Sequence, residues 1–164
     1  MPEPGKLIAR LIEHDVEFVV VGGYAAIIHG ASYVTFDLDV CAPCSVGDIE
    51  NLRKLHAALV DLHPLHRMSP CERTFVFPPR NAEETGNLYL RTDLGQLDVR
   101  GCIELGDYGF ARAHSLPVRH ASGEYRLLDC PTLIRSKETT ARPKDLLVAE
   151  QLRAILEATQ PPPP

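Results

Sequence analysis

Residues 36–40, with the sequence FDLDV, constrain the fold more than any other part of the chain, because apolar and acidic side chains alternate along them. Successive side chains of a β-strand point to opposite faces, so Asp37 and Asp39 would share one face while their apolar neighbours enter a core. Two adjacent carboxylates repel each other, and a divalent cation that binds both relieves the repulsion. Oxygen ligands suit the hard ion Mg²⁺. We therefore predict a strand with a magnesium site on its open face.

The length and composition predict one cytoplasmic domain. With 164 residues, 45% of them hydrophobic, the chain can bury one sizeable core and is too short for two ordinary domains. The domain is expected over residues 1–160, followed by a disordered proline tail at 161–164. Neither a membrane-crossing segment nor a basic region followed by an apolar run is found. Five cysteines, an odd number, predict reduced thiols.

The hydrophobic pattern predicts an α/β (α+β) fold, in which a short mixed sheet has helices against one face and the site at its edge. Strands are expected at residues 17–21, 36–41, 87–91, 96–100, 116–119 and 125–128. Helices are expected at residues 6–14, 24–29, 46–62, 130–139 and 143–158, with Ser45 as the N-cap of the third. Residues 63–84 contain several prolines and are predicted to be mostly loop, with a short strand at 74–77.

A third acidic residue lies in a strand of the same kind. Asp98 stands between Leu97 and Val99, so its side chain should leave the core face, as those of Asp37 and Asp39 do. If the strand at 96–100 pairs with the strand at 36–41, three carboxylates converge.

The C-terminal third is locally basic although the whole chain is acidic. Residues 126–144 carry five cationic side chains and two anionic ones. Such cations beside carboxylates would hold the phosphates of a nucleoside triphosphate, and a solvated helical face is the alternative. Arg142 and Asp145 are expected to form an ion pair on a helix surface. The net charge of −5 argues against a broad basic surface for nucleic acid.

Taken together, these motifs resemble those of a known superfamily. The pair Gly22-Gly23, the motif Asp37-Leu38-Asp39 and Asp98 after a hairpin match, in order and spacing, the polymerase-β-like nucleotidyltransferase superfamily. Residues 22–39 are similar to those of small bacterial members, including the nucleotidyltransferase toxins of type IV toxin–antitoxin systems. Residues 133–146 resemble the last block shared by those members. The resemblance covers about residues 16–152.

The resemblance implies a Mg²⁺-dependent nucleotidyltransferase that moves a nucleoside monophosphate from a nucleoside triphosphate, ATP among them, to a hydroxyl of an acceptor. Two Mg²⁺ ions roughly 4 Å apart would lower the pKa of the acceptor and stabilise the leaving pyrophosphate. Asp37 and Asp39 would bridge the ions. Asp98 would complete the site on the acceptor side and take the proton of the acceptor.

The nucleotide-binding residues follow from the same resemblance. Gly22 and Gly23 would let the backbone approach the triphosphate, with N–H groups at the start of a helix on the phosphate oxygens. Lys137 and Lys144 would contact phosphates. Ser32 is a further candidate phosphate ligand, and a turn cap is the alternative.

The acceptor stays open, because relatives modify tRNA or other RNA, proteins or small hydroxylated molecules. The chain is too short for a separate substrate domain, which favours a second subunit, such as an antitoxin, or an external macromolecular acceptor. Tyr33 stands where many relatives have an arginine, and the loss of that cation would weaken triphosphate binding. The alternative is a catalytically degenerate, antitoxin-like regulator that binds nucleotide or a partner.

Cys41 and Cys44 form a C-x-x-C motif between a predicted strand and a predicted helix. Such a motif can be redox-active, or can bind zinc together with His63, His66 or Cys71. Only one pair of this kind is present, so we expect neither role.

Overall fold

A mixed β-sheet organises the computed structural model, which describes residues 1–80 and 85–159. The predicted α/β class is confirmed, and the proline tail predicted at 161–164 lies outside the described residues. The strands are β1 Val19–Val21, β2 Asp37–Cys41, β3 Leu65–His66, β4 Arg73–Thr74, β5 Leu88–Thr92, β6 Gly95–Arg100, β7 Cys102–Ile103, β8 Gly106–Asp107, β9 Ser115–His120 and β10 Gly123–Leu128. The helices are α1 Pro4–Glu13, α2 Gly22–Ile28, α3 Ile49–Leu59, α4 Tyr108–Ala113, α5 Cys130–Thr140 and α6 Pro143–Thr159.

The main sheet has eight strands in the order β4-β3-β5-β6-β2-β1-β10-β9, and β7 and β8 form a separate pair. The predicted pairing of the two acidic strands is confirmed: β2 and β6 are parallel neighbours, and Asp39 is directly opposite Asp98. The expected position at the edge of the sheet is wrong. Further strands flank β2 and β6 on both sides, so the carboxylates lie in the middle of the sheet.

The core forms between the apolar faces of the strands and the helices. Leu38 and Val40, which alternate with the acidic residues of β2, are buried as predicted. The same prediction is wrong for Phe36, which precedes β2 and is 68% exposed. Leu7 and Leu11 from α1 and Leu52 from α3 belong to the same buried cluster. All three valines of β1 are buried, so the sheet is covered on both faces at this strand, whereas helices were expected against one face only.

Most predicted elements are found with small shifts at their ends. The helix predicted at 46–62 is α3 with the 3₁₀ turns Val46–Asp48 and Val60–Leu62 at its ends, and the Ser45 backbone N–H donates to Asp48 Oδ2 at 3.0 Å. The strand predicted at 74–77 is found only as the two-residue strand β4, Arg73–Thr74. The backbone N–H of Phe75 still donates to the carbonyl oxygen of Pro64, at 2.9 Å.

Two short strands and α4, within residues 102–113, were not predicted. Each of these strands has two residues, too few for a periodic pattern. Among the described residues, no helix combines the length and apolar character needed to cross a membrane.

Candidate metal centre

Three carboxylates converge on the open face of the sheet. Asp37 and Asp39 come from β2 and Asp98 from β6, and each offers an oxygen atom within 4.8 Å of the other two. The parallel register and the alternation of side chains produce this convergence. Within residues 1–80 and 85–159, no other three histidine, cysteine or acidic side chains come so close.

Asp39 is the most perturbed of the three carboxyl groups. Burial, and then the charges of Asp37 and Asp98, raise its pKa from 3.8 to about 6. The cations Arg100 and Lys137 act in the opposite direction without cancelling the rise. A buried carboxylate between two like charges is stabilised by a bound cation, and an oxygen-only donor set fits a hard divalent ion. The residues present therefore fit a metal site.

Gly22 makes room for Asp39 at the end of β1. Its φ angle is +65°, and a Cβ atom there would lie 2.2 Å from Asp39 Oδ2. At Gly23, a Cβ atom would lie 2.8 Å from Cε1 of Tyr33. The predicted glycine pair thus has a steric reason in this chain, since a side chain at Gly22 would displace the Asp39 carboxylate.

Asp37 and Asp98 each have a fixed hydrogen-bond partner. Thr35 Oγ1 donates to Asp37 Oδ1 at 2.5 Å. Arg67 Nη2 lies 2.5 Å from Asp98 Oδ1 and 2.6 Å from Oδ2, and its guanidinium carbon is 5.6 Å from the ring centroid of Tyr89. Burial raises the pKa of Asp98, while the hydrogen bonds and charge of Arg67 act to lower it.

Lys137, predicted to contact phosphates, lies close enough for its charge to lower the pKa of Asp39, but it already has a partner. Its Nζ atom donates to Asp145 Oδ1 at 2.8 Å, and Arg142 Nε donates to Asp145 Oδ2 at 2.5 Å. The predicted Arg142–Asp145 ion pair is therefore present. Its predicted place on the surface is wrong for Asp145, whose residue is only 1% exposed, because α5 and α6 pack over it.

The other two predicted phosphate ligands make no hydrogen bond to the three carboxylates. Lys144 is exposed in the first turn of α6. Ser32 is exposed, and its backbone N–H donates to Gln151 Oε1 at 2.9 Å. That bond ties the turn before β2 to α6, a structural role close to the turn alternative.

Arg100 joins the site although it was not predicted. It follows Asp98 by two residues on β6 and therefore projects from the same face. Its Nη1 atom donates to Glu104 Oε1 at 3.1 Å, and Ser136 Oγ donates to Glu104 Oε2 at 2.5 Å. The alternation of side chains along β6 that predicts the face of Asp98 also predicts that Arg100 projects from the same face.

The thiols of the C-x-x-C motif are buried. Burial raises the pKa of Cys41 and of Cys44 to about 12, and Cys44 Sγ donates to the carbonyl oxygen of Gly86. Protonated thiols are poor nucleophiles and poor zinc ligands. All five cysteines are free, and these two pack in the core.

No protein-family model matches the sequence, and no curated protein does. The fold and the site by themselves define an α/β domain with a cluster of three carboxylates that is able to bind a metal ion.

Proposed function

We propose that this protein is a Mg²⁺-dependent nucleotidyltransferase that moves a nucleoside monophosphate from a nucleoside triphosphate to a hydroxyl of an acceptor. One observation carries the proposal: Asp37, Asp39 and Asp98 offer oxygens within 4.8 Å of one another. Nucleotidyl transfer needs such a cluster, because negative charge builds on the reacting phosphate and on both flanking oxygens.

In this proposal, the acidic residues of β2 and of β6 have different roles. Bound Mg²⁺ ions would supply the positive charge that activates the acceptor and neutralises the leaving pyrophosphate. Asp37 and Asp39 would hold the ions, and Gly22 keeps the space that Asp39 occupies. Asp98 receives the proton of the acceptor hydroxyl, and Arg67 orients its two oxygens.

The rest of the proposal concerns phosphates and partners. Lys137 would contact the triphosphate only with the donors that its bond to Asp145 leaves free, and the N–H groups after Gly22 would bind it as well. Lys144 and Ser32, both exposed, are further candidate contacts of the triphosphate. The acceptor is RNA, including tRNA, a protein or a small hydroxylated molecule, and a second subunit such as an antitoxin completes a toxin-like pair. The setting is a reducing cytoplasm, in keeping with five free thiols.

A second candidate is a regulator that binds nucleotide or a partner without turnover. Two observations favour it. Tyr33 replaces the arginine that the resemblance leads one to expect. Two of the cations nearest the carboxylates are already engaged, Lys137 with Asp145 and Arg67 with Asp98.

Label transfer separates the two candidates. The full chain is incubated with Mg²⁺, each α-labelled nucleoside triphosphate and a mixture of tRNA and cell protein. We expect label on one class of acceptor, and none with the double variant Asp37→Ala, Asp39→Ala. The matched control is Glu150→Ala, Glu157→Ala, which removes two exposed carboxylates of α6 and should behave as the wild type.

Two results would contradict the transferase. One is the absence of transfer to every acceptor; if the wild type nevertheless binds nucleotide and the double variant does not, the regulator is supported. The other is equal transfer by the wild type and the double variant.

A further inference from the structure

Of the cations beside the three carboxylates, Arg100 uses the smallest share of its hydrogen-bond donors in bonds to described side chains. An arginine side chain has five N–H donors and no acceptor. Only one of its donated bonds is to a described side chain, from Nη1 to Glu104. Its Nε atom is buried and has no hydrogen-bond partner among the described residues. A buried donor without a partner is unfavourable, and an anionic oxygen that reached it would remove that penalty.

Arg100 lies on the acidic face of the sheet, where its charge acts on both Asp39 and Asp98. Arg100 is opposite Cys41, and Asp98 is opposite Asp39, in the same parallel ladder. The guanidinium therefore projects from the acidic face, close enough for its charge to act on Asp39. Its side chain is 25% exposed, so a ligand in solution can reach it.

The guanidinium of Arg100 is also held in place by an ion pair with Glu104. Glu104 accepts from Arg100 through one oxygen and from Ser136 through the other. Ser136 precedes Lys137 on α5, so this helix supports Glu104, the partner of Arg100, and also carries Lys137, the other cation that acts on Asp39. Lys137 is neutralised by Asp145, with both residues buried, whereas Arg100 keeps donors for a ligand.

We infer that Arg100 binds the phosphates that leave as pyrophosphate, with Glu104 as its positioning residue. This inference rests on the proposed function for the identity of the ligand. Arginine suits the task because its planar fork matches phosphate oxygens in pairs. The acceptor side is served by Arg67, whose hydrogen bonds go to Asp98.

Binding of inorganic pyrophosphate to the full chain tests the inference without any transfer reaction. Titration calorimetry with Mg²⁺ present compares the wild type with Arg100→Met and Arg100→Lys. We expect Arg100→Met to weaken binding by about 10- to 100-fold, the usual range for a charge-assisted hydrogen bond. Arg100→Lys should lose less, because it keeps the charge and loses the paired donors.

The matched control is Arg91→Met. Arg91 lies on the neighbouring strand β5, and its ion pair with Glu72 is exposed, so the variant loses the same charge away from Asp39. We expect its pyrophosphate affinity to stay within about twofold of the wild type. Equal weakening in Arg91→Met and Arg100→Met would overturn the inference, because the effect would then be one of net charge.

The remaining outcomes separate this inference from the proposed function. Pyrophosphate binding that depends on Arg100, with no nucleotidyl transfer to any acceptor, supports the phosphate site and refutes the transferase. Transfer by the wild type with no loss of pyrophosphate affinity in Arg100→Met refutes the phosphate site alone. If urea unfolding shows that Arg100→Met is not folded, Arg100→Lys decides, and wild-type affinity in that variant overturns the inference.

Discussion

Asp39 and Asp98 face each other across two parallel strands, yet the protein treats the two carboxylates differently. Asp98 accepts hydrogen bonds from Arg67 through both oxygens. Asp39 accepts none from a described side chain, lies against Gly22 and has a pKa of about 6. The protein thus compensates Asp98 in part through Arg67, although burial still leaves its pKa raised, and the Asp39 side is left for a ligand to compensate. Environment, and not residue type, assigns the two roles.

The largest expected effect, on the transfer rate, comes from removing the charge of Asp39 or of Asp98. We expect Asp39→Asn and Asp98→Asn each to lower the transfer rate by about 10³-fold or more, because metal-assisted charge stabilisation is worth several kcal/mol. Only Asp39→Asn should abolish Mg²⁺-dependent binding of the nucleoside triphosphate. Quenched-flow rates and calorimetric titrations measure the two effects. A similar loss of nucleotide affinity in both variants would erase the distinction between the two sides.

The next effect tests the space around Asp39. Gly22→Ala would place a Cβ atom 2.2 Å from Asp39 Oδ2 at a φ of +65°. We expect the free energy of unfolding to fall by roughly 3 kcal/mol, from overpacking added to backbone strain. Gly86→Ala is the matched control, because Gly86 has a φ of +78° and a Cβ atom there would have no heavy atom of the described residues within 4 Å.

The control Gly86→Ala should lose only about 1 kcal/mol, the cost of the left-handed conformation alone. Urea unfolding of both variants gives the difference between them. Equal losses would mean that Asp39 moves aside without penalty, and the proposed steric role of Gly22 would be wrong.

The acidic side of the site could be predicted from the sequence because its signal is local. Alternation places Asp37 and Asp39 on one face, and a hairpin places Asp98 on a strand of the same kind. Both hairpins could be predicted for the same reason, because each has a glycine at its turn: Gly95 begins β6 and Gly123 begins β10. What the pattern left open was the partner of β6, which depends on the whole sheet.

Arg67 could not have been predicted in the same way. It follows the two-residue strand β3, and its contact with Asp98 spans 31 residues of sequence. Nothing in the local pattern distinguishes it from Arg73 or Arg80. Contacts of this kind depend on how a loop folds back over the sheet, and a loop carries no periodicity.

The third effect tests whether Arg67 compensates Asp98. The side chains of Arg67 and Asp98 are 27% and 9% exposed, against 56% and 77% for Arg91 and Glu72. We expect Arg67→Met to lower the free energy of unfolding by roughly 2 kcal/mol, because it strands a buried charge. Arg91→Met should change it by about 0.5 kcal/mol or less.

The pH dependence of the Arg67→Met loss identifies its cause. Arg67 lowers the pKa of Asp98, so the ion pair stabilises the protein while Asp98 is ionised. This stabilisation fades as the pH falls and Asp98 takes up a proton. Urea unfolding at about pH 7.5 and about pH 5 should therefore show a smaller loss at the lower pH. A constant loss would indicate that packing against Tyr89, and not the charge of Asp98, is what Arg67 contributes.

The smallest effect concerns the proton on Asp39, whose pKa is raised to about 6 by burial and then by Asp37 and Asp98. A metal ion must displace this proton, so Mg²⁺ affinity should fall by about tenfold per pH unit below that value and level off above it. Calorimetric titrations across this range measure the affinity.

The same rise in the pKa of Asp39 predicts that the contribution of Asp39 to stability falls with rising pH when metal is absent. The folded state binds the proton more tightly than the unfolded state, whose carboxyl titrates near 3.8, so this contribution is lost as the pH rises from there to about 6. Asp39→Asn should remove this loss in urea unfolding, because it has no proton to release. If the metal-free wild type and Asp39→Asn instead show the same pH dependence of stability over this interval, Asp39 is ionised without a metal ion. The charge of Asp39 would then be compensated by Arg100 and Lys137, and the two sides of the site would be alike.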